Sequence, residues 1–168
     1  MREATIMLNR AELLYDIGQD SWTEGDIMPE EAGHAKHLTQ DIAEHGQIDR
    51  TTRIMNLAYS ECVELLYPYT KTKIDEAEGL QLDNRLAEPE EYAFHLENLP
   101  ETVSSTSIEL LRDLLHEYFV CRVMQDRLDI TKQEVSGKWQ VKLDEVKRGI
   151  SGVLCRRIRR VRRPLSPF

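Results

Sequence analysis

Apolar residues recur along most of this chain at intervals of three and four, the spacing that lines one face of an α-helix. From residue 9 to about 28, Leu13, Leu14, Ile17 and Trp22 follow that spacing loosely, with Gly18 and Gly25 interrupting it. A first helix with an ill-defined end is predicted. Pro29 suits the first turn of a second, short helix, where no amide hydrogen is needed. Glu30 and Glu31 sit at its positive end, Ala35, Leu38 and Ile42 form its apolar stripe, and Gly46 stops it. A third helix starts near Asp49 and carries Ile54, Leu57, Ala58, Cys62, Leu65, Leu66 and Tyr69. Pro68 should kink or end it, because its ring clashes with the preceding turn. Residues 70–91 are polar and aperiodic and read as a long loop, a kind of connection that often serves as a contact surface. The stretch YAFHL, residues 92–96, has the composition of a short strand.

Two further helices follow. Thr106 and Glu109 form a capping box before Ile108, Leu111, Leu115, Tyr118 and Phe119, which predicts a fourth helix to about residue 128. Thr131 and Glu134 form a second box before Trp139, Leu143, Val146, Ile150, Val153 and Leu154. The stripe does not stop there: Leu154, Ile158, Val161 and Leu165 recur at four, three and four until Pro164 intervenes. The predicted fold is therefore mainly α. It has about five helices in a single orthogonal or bundle-like domain, at most a short β element, and a projecting basic C-terminal helix. The predicted core is Leu13, Leu14, Ile17, Ile54, Leu57, Leu65, Ile108, Leu111, Leu115, Tyr118, Phe119, Trp139, Leu143 and Val146.

Composition adds one feature that the apolar pattern hides. The chain of 168 residues is 40% hydrophobic and 31% charged, a balance that folds as a soluble domain. Its formal net charge is −8, but the eight Lys and Arg of residues 147–168 stand without a single acid. The remaining 14 basic residues face all 30 acids. The sequence thus divides into an acidic helical domain, residues 1–154, and a basic tail, residues 155–168. An acidic body argues against nucleic acid lying across the whole surface, because phosphate binding needs a positive field over its footprint. Cys62, Cys121 and Cys155 are odd in number and lie in helix-like segments, so they read as reduced packing residues. With no apolar run of the roughly 20 residues that span a bilayer and no cleavage-site pattern at an acid-bearing start, a cytoplasmic location is expected, in a host cell or a virion, without a membrane partner.

Candidate chemistry is sparse. Glu30, His34, His37, Asp41 and His45 step by four, three, four and four and would share one face of a continuous helix, and histidine with carboxylate at that spacing can ligate zinc or iron. Glu31 with His34 makes the Glu-x-x-His step of di-iron bundles, which need a second such step that this chain lacks. The plainer reading of this face is the wet side of a helix, and a metal-dependent helical enzyme remains the least favoured class. His116 and Glu117 begin like a zinc-protease motif whose second histidine is absent. A hydrogen-bonded histidine at the core edge is the expectation for His116. No phosphate loop, nucleophile elbow or close Cys–His pair is present in the sequence.

The tail is the stronger candidate. Arg156, Arg157, Arg159, Arg160, Arg162 and Arg163 surround the seam of Ile158 and Val161. Unpaired charges of this kind cannot be buried, so the segment must project or meet something acidic. DNA phosphates would satisfy it, and so would acidic protein, including the acidic body of a second copy. A membrane surface suits it less, since Phe168 is its only aromatic. In layout, residues 48–154 resemble the head-to-tail connector, or neck adaptor, proteins of tailed bacteriophages and prophages. The counterparts are IDRTTRIMNLAYSECVELLYPY, EYAFHLENLP, IELLRDLLHEYFVCRVMQDRL and the KWQVKLDEVKRGI helix. That resemblance implies a non-enzymatic structural subunit that forms a ring between portal and tail proteins and needs no cofactor. The competing expectation is a nucleic-acid-associated helical protein that uses the arginines as a phosphate clamp.

Overall fold

The computed structural model describes residues 2–71 and 80–155, and of Cys155 only the backbone. The chain runs β1 (Arg2–Asn9), α1 (Arg10–Asp26), α2 (Gly33–Gln40), α3 (Ile48–Leu65), β2 (Glu91–Leu99), α4 (Ser105–Thr131) and α5 (Gln133–Cys155), with 3-10 turns at Glu30–Ala32 and Asp41–Ala43 flanking α2. The architecture is mainly helical, as the spacing predicts, with one two-stranded antiparallel sheet among the described residues.

α4 occupies the centre. Tyr118, Phe119, Val120, Cys121, Val123 and Met124 are all buried, and Arg122 alone in this part of the helix is only partly so. α1, α3, α5 and the sheet supply the cover. α5 follows after one residue, Lys132, whose φ of −155° and ψ of 83° break the helical path and send the chain back along α4. The pairing is close at Gly149, where an added Cβ would lie 3.3 Å from both methyl groups of Leu114. Trp139, Leu143, Val146, Ile150 and Leu154 bury themselves against the bundle, following the predicted seam.

The sheet covers another side of α4 with aromatic rings. Tyr92 and Phe94 on β2 pack on Phe119 with centroids 5.0 and 6.4 Å apart, and Tyr59 of α3 lies 4.9 Å from Phe94. Tilted and edge-on rings at these distances add to the gain from burial alone. Their polar tips are satisfied within the same cluster: Tyr92 Oη donates to Asn56 Oδ1 at 2.8 Å, and Tyr59 Oη donates to the Ala93 carbonyl at 2.9 Å.

Several expectations are corrected. The opening residues form β1, which the apolar pattern hides because Met7 makes an unbroken Ile-Met-Leu run. Ile6 and Leu8 face the core while Met7 is 56% exposed. Asn9 then ends the strand and caps α1 directly, its Oδ1 accepting from the amides of Ala11 and Glu12. Leu57 and Trp22 are exposed, because the inward rows run Ile54, Met55, Ala58, Cys62 on α3 and Leu13, Ile17, Ser21, Glu24 on α1. Leu14, Leu65 and Ile108 are only partly buried. α4 is capped by Ser104, whose Oγ accepts from the Ser107 amide, rather than by Thr106, and it runs on to Thr131. Thr131 therefore ends α4 instead of capping α5, and its hydroxyl meets Thr39 Oγ1 at 3.1 Å.

The two strands also show how the chain keeps its apolar side chains inward. Arg2 pairs with Leu99 and Ala4 with Leu96, so β2 carries one extra residue across that interval. Asn98, at a φ of 57°, absorbs it. The bulge resets the alternation so that Leu99 faces the core with Tyr92, Phe94 and Leu96. Asn98→Gly is expected to keep or raise stability, whereas Asn98→Val should lower it by roughly 1–2 kcal/mol, measured by denaturant unfolding. Leu115→Ala, at a fully buried site in the centre of α4, should lose about 2–5 kcal/mol in the same assay.

Candidate functional site

The six tail arginines, Arg156, Arg157, Arg159, Arg160, Arg162 and Arg163, lie outside the described residues; α5, which leads to them, is described as far as Cys155. The histidine-bearing face is not the continuous helical face that the spacing assumes. Glu30 lies on one 3-10 turn, His34 and His37 on the two-turn α2, and Asp41 on the second 3-10 turn. Each change of helix type alters the rise and rotation per residue, so the four side chains do not fall into one column. All four are exposed, as is His45. Among the described residues no group of three or more His, Cys, Asp and Glu is placed to hold a metal. What the segment does bury is Thr39, Gln40 and Ile42, which pack on α1. That approach depends on Gly25, where an added Cβ would come within 2.5 Å of Gln40 Cγ.

A polar seam joins α1 to the α4–α5 hairpin. Asp16, Asp20 and Glu24 recur every four residues along α1. Asp16 Oδ2 meets His116 Nε2 at 2.7 Å, which makes His116 the hydrogen-bonded core-edge residue expected of it. Glu24 Oε1 accepts from Trp139 Nε1 at 3.2 Å and lies 3.8 Å from Lys138 Nζ. Between them Lys142 pairs with Glu117 and lies 5.0 Å from the centre of the Trp139 ring. Burial opposes the charge of Lys142, yet the Glu117 hydrogen bond and the neighbouring acids more than offset it, and its pKa is raised. Cys121 reaches Glu117 Oε1 at 3.6 Å, and burial first, then the Glu117 charge, pushes its thiol up to about 12. A thiol held in that state is no nucleophile. The seam locks α1 to the α4–α5 hairpin.

A large concavity, a groove, lies on the other side of the hairpin. Its floor is α4, its walls are α3 and α5, and its volume is about 780 Å³. The apolar part of the lining is Leu65, Leu143 and the Tyr118 ring. Glu61 is held at the floor: its carboxylate accepts from Tyr118 Oη at 2.7 Å and from Arg122 Nε at 3.2 and 3.4 Å. Asp126 is held similarly, 3.3 Å from Arg50 Nη2 and 3.9 Å from Arg122 Nη1. The wall acids differ. Glu64 on α3 and Asp144 on α5 are exposed and form no ion pair among the described residues. Four carboxylates and two cations, Arg122 and Lys147, line the groove, so it carries a negative excess.

The sequence marks Leu65, Tyr118 and Leu143 of this groove only as core residues and none of its charged residues, because three helices distant in the chain each contribute a fragment. The available signal was the polar edge of each stripe: Glu61 with Glu64, Arg122 with Asp126, and Asp144 with Lys147, each three or four residues apart. No family model, curated protein or solved structure matches the chain. No helix among the described residues is long and apolar enough to cross a membrane.

The seam has a pH signature. Burial lifts the Asp20 carboxyl above the ordinary aspartate range against the pull of Lys142, with Glu117, Asp16 and Glu24 adding repulsion. A raised folded-state pKa means that this group's contribution is fully present below the unfolded value, about 3.9, and is lost as pH rises through the folded one. Asp20→Asn should remove that loss, leaving the protein at least as stable at pH 7 and flattening its stability profile above about pH 4. Thermal melting across pH 4–8 checks both.

Proposed function

We propose that the protein is a non-enzymatic assembly subunit that self-associates through charge, in the manner of the ring-forming phage connector proteins its layout resembles. The observation that carries this reading is the segregation of charge: all 30 acids precede residue 147, and a run of six arginines in eight residues follows. Opposite charges on different faces of one subunit favour a head-to-tail contact, which closes into a ring when the rotation between neighbours allows it. Further support comes from the extended strand-free stretch of residues 80–90. It is held on α3 through its own carbonyls, Ala87 by Asn56 Nδ2 at 2.8 Å and Asn84 by Arg53 Nη1 at 3.4 Å. Leu80 and Leu82 remain 63% and 84% exposed there, as apolar contacts awaiting a neighbour would be. On this reading portal or tail proteins are further partners, and no cofactor takes part.

Sedimentation velocity of the full chain tests it. Oligomers should form at about 0.05 M salt and dissociate toward 1 M, where the screening length falls to about 3 Å, and electron micrographs at low salt should show closed rings. A chain that stays monomeric at every salt concentration yet binds duplex DNA with a steep salt dependence would replace this reading with the phosphate clamp.

A further inference from the structure

We propose that the groove between α3, α4 and α5 is the acceptor for the arginine-rich C-terminal segment of a neighbouring copy of this chain. The inference rests on the assembly reading above and assigns it a surface.

Shape is the first argument. The residues that line the floor, Tyr118 to Asp126, span nine residues of α4, and those on one wall, Gln140 to Lys147, span eight of α5. At 1.5 Å per residue the groove is thus about 12 Å long, the length of roughly two helical turns. The arginine stretch, residues 156–163, is eight residues long and carries an apolar seam of Ile158 and Val161. An amphipathic helix laid in a groove is recognised through such i, i+3 anchors. The apolar lining of Leu65, Leu143 and Tyr118 is what the anchors would meet.

Charge is the second argument, and it is positional. On a helix, with about 100° of rotation per residue, Arg157 and Arg162 would fall on opposite sides of the seam, each next to it. Among the described residues the groove has one acid without a cation on each wall, Glu64 and Asp144, the latter accepting from Gln140 Nε2 at 3.2 Å. The floor acids are already held by Arg122, Arg50 and Tyr118, so the wall acids are the ones left to pair with a cation from a partner. Two flanking cations thus match two flanking carboxylates over an apolar centre.

Reach decides whose segment it is. In the sequence the seam keeps one helical spacing from Trp139 to Val161, ahead of Pro164. α5 carries the described backbone to Cys155, eight residues and about 12 Å past Lys147 at the end of the groove, so the arginines begin beyond the groove of their own copy. A second copy is the occupant, and repetition of the contact builds a head-to-tail assembly.

Charge exchange in the full chain tests the proposal by sedimentation velocity at low salt. The acceptor variant, Glu64→Lys with Asp144→Lys, and the donor variant, Arg157→Glu with Arg162→Glu, should each weaken self-association on the order of tenfold or more, as like charges are brought together. All four positions are outside the core seam, and unchanged circular dichroism and melting should accompany the loss. Two further results should follow: the four substitutions in one chain restore association, and the two double variants mixed together co-assemble. If the donor variant loses association while the acceptor variant keeps it, the groove is the wrong surface although the assembly reading stands. If restoration appears only as a more stable monomer, the segment docks on its own copy and the proposal is overturned. A wild-type chain that is monomeric throughout overturns both the proposal and the reading beneath it.

Discussion

A helix buried over two turns except at one residue cannot be stable by itself, and from Tyr118 to Met124 α4 is such a helix, with Arg122 alone only partly buried. The other elements can be understood as its cover. The α5 return covers one side, α1 and α3 two more, and the small sheet another with Tyr92 and Phe94 against Phe119, which leaves Arg122 at the floor of the groove. The sheet has only two strands, too few to be stable alone in water. It holds because its inner face is part of the aromatic cluster, and because Asn98 keeps Leu99 in the same layer. The central helix and the marginal sheet therefore stabilise each other.

The helical parts of this arrangement were legible because they obey one rule. Where apolar residues kept a strict interval, as from Trp139 to Leu154, the predicted face is the buried one. The failures share a cause as well. On α1 the inward row contains Ser21 and Glu24, whose carboxylate is hydrogen-bonded to Trp139, so a search for apolar residues drifted to exposed Trp22. Polar residues that find partners inside are invisible to a hydrophobic pattern. β1 was hidden for the opposite reason, an exposed methionine that filled in the alternation. The candidate groove was beyond any local reading, since its floor and walls meet only after α4 and α5 have folded back on α3. The tail arginines, by contrast, declared themselves through composition alone, while their surroundings lie outside the described residues.

Tyr118 links the core to the groove. Its ring is buried in the bundle and its hydroxyl donates to Glu61 at the groove floor. Burial first, then the Glu61 hydrogen bond, raises the phenol pKa, so the hydroxyl remains a donor at any physiological pH. Arg122 takes the other side of the same carboxylate and reaches Gln125 and Asp126 one turn on. The polar groups at the floor thus satisfy one another before any partner arrives. A surface arranged in this way would need little reordering to receive a partner.

The connection between α4 and α5 has a mechanical consequence. One residue, Lys132, joins a helix of 27 residues to one of 23, and Ser136 returns to α4 through a hydrogen bond to Asp129. Nothing in so short a link can act as a swivel. The bearing and rotational phase with which the backbone arrives at residue 155 are inherited from the helix at the middle of the molecule. A single neutral residue inserted into α5 between Trp139 and Leu154 would turn the end of the helix by about 100° while leaving the net charge untouched. Residue number, and not only residue type, is then part of what this hairpin encodes, in the way that the spacing of gear teeth matters as much as their hardness.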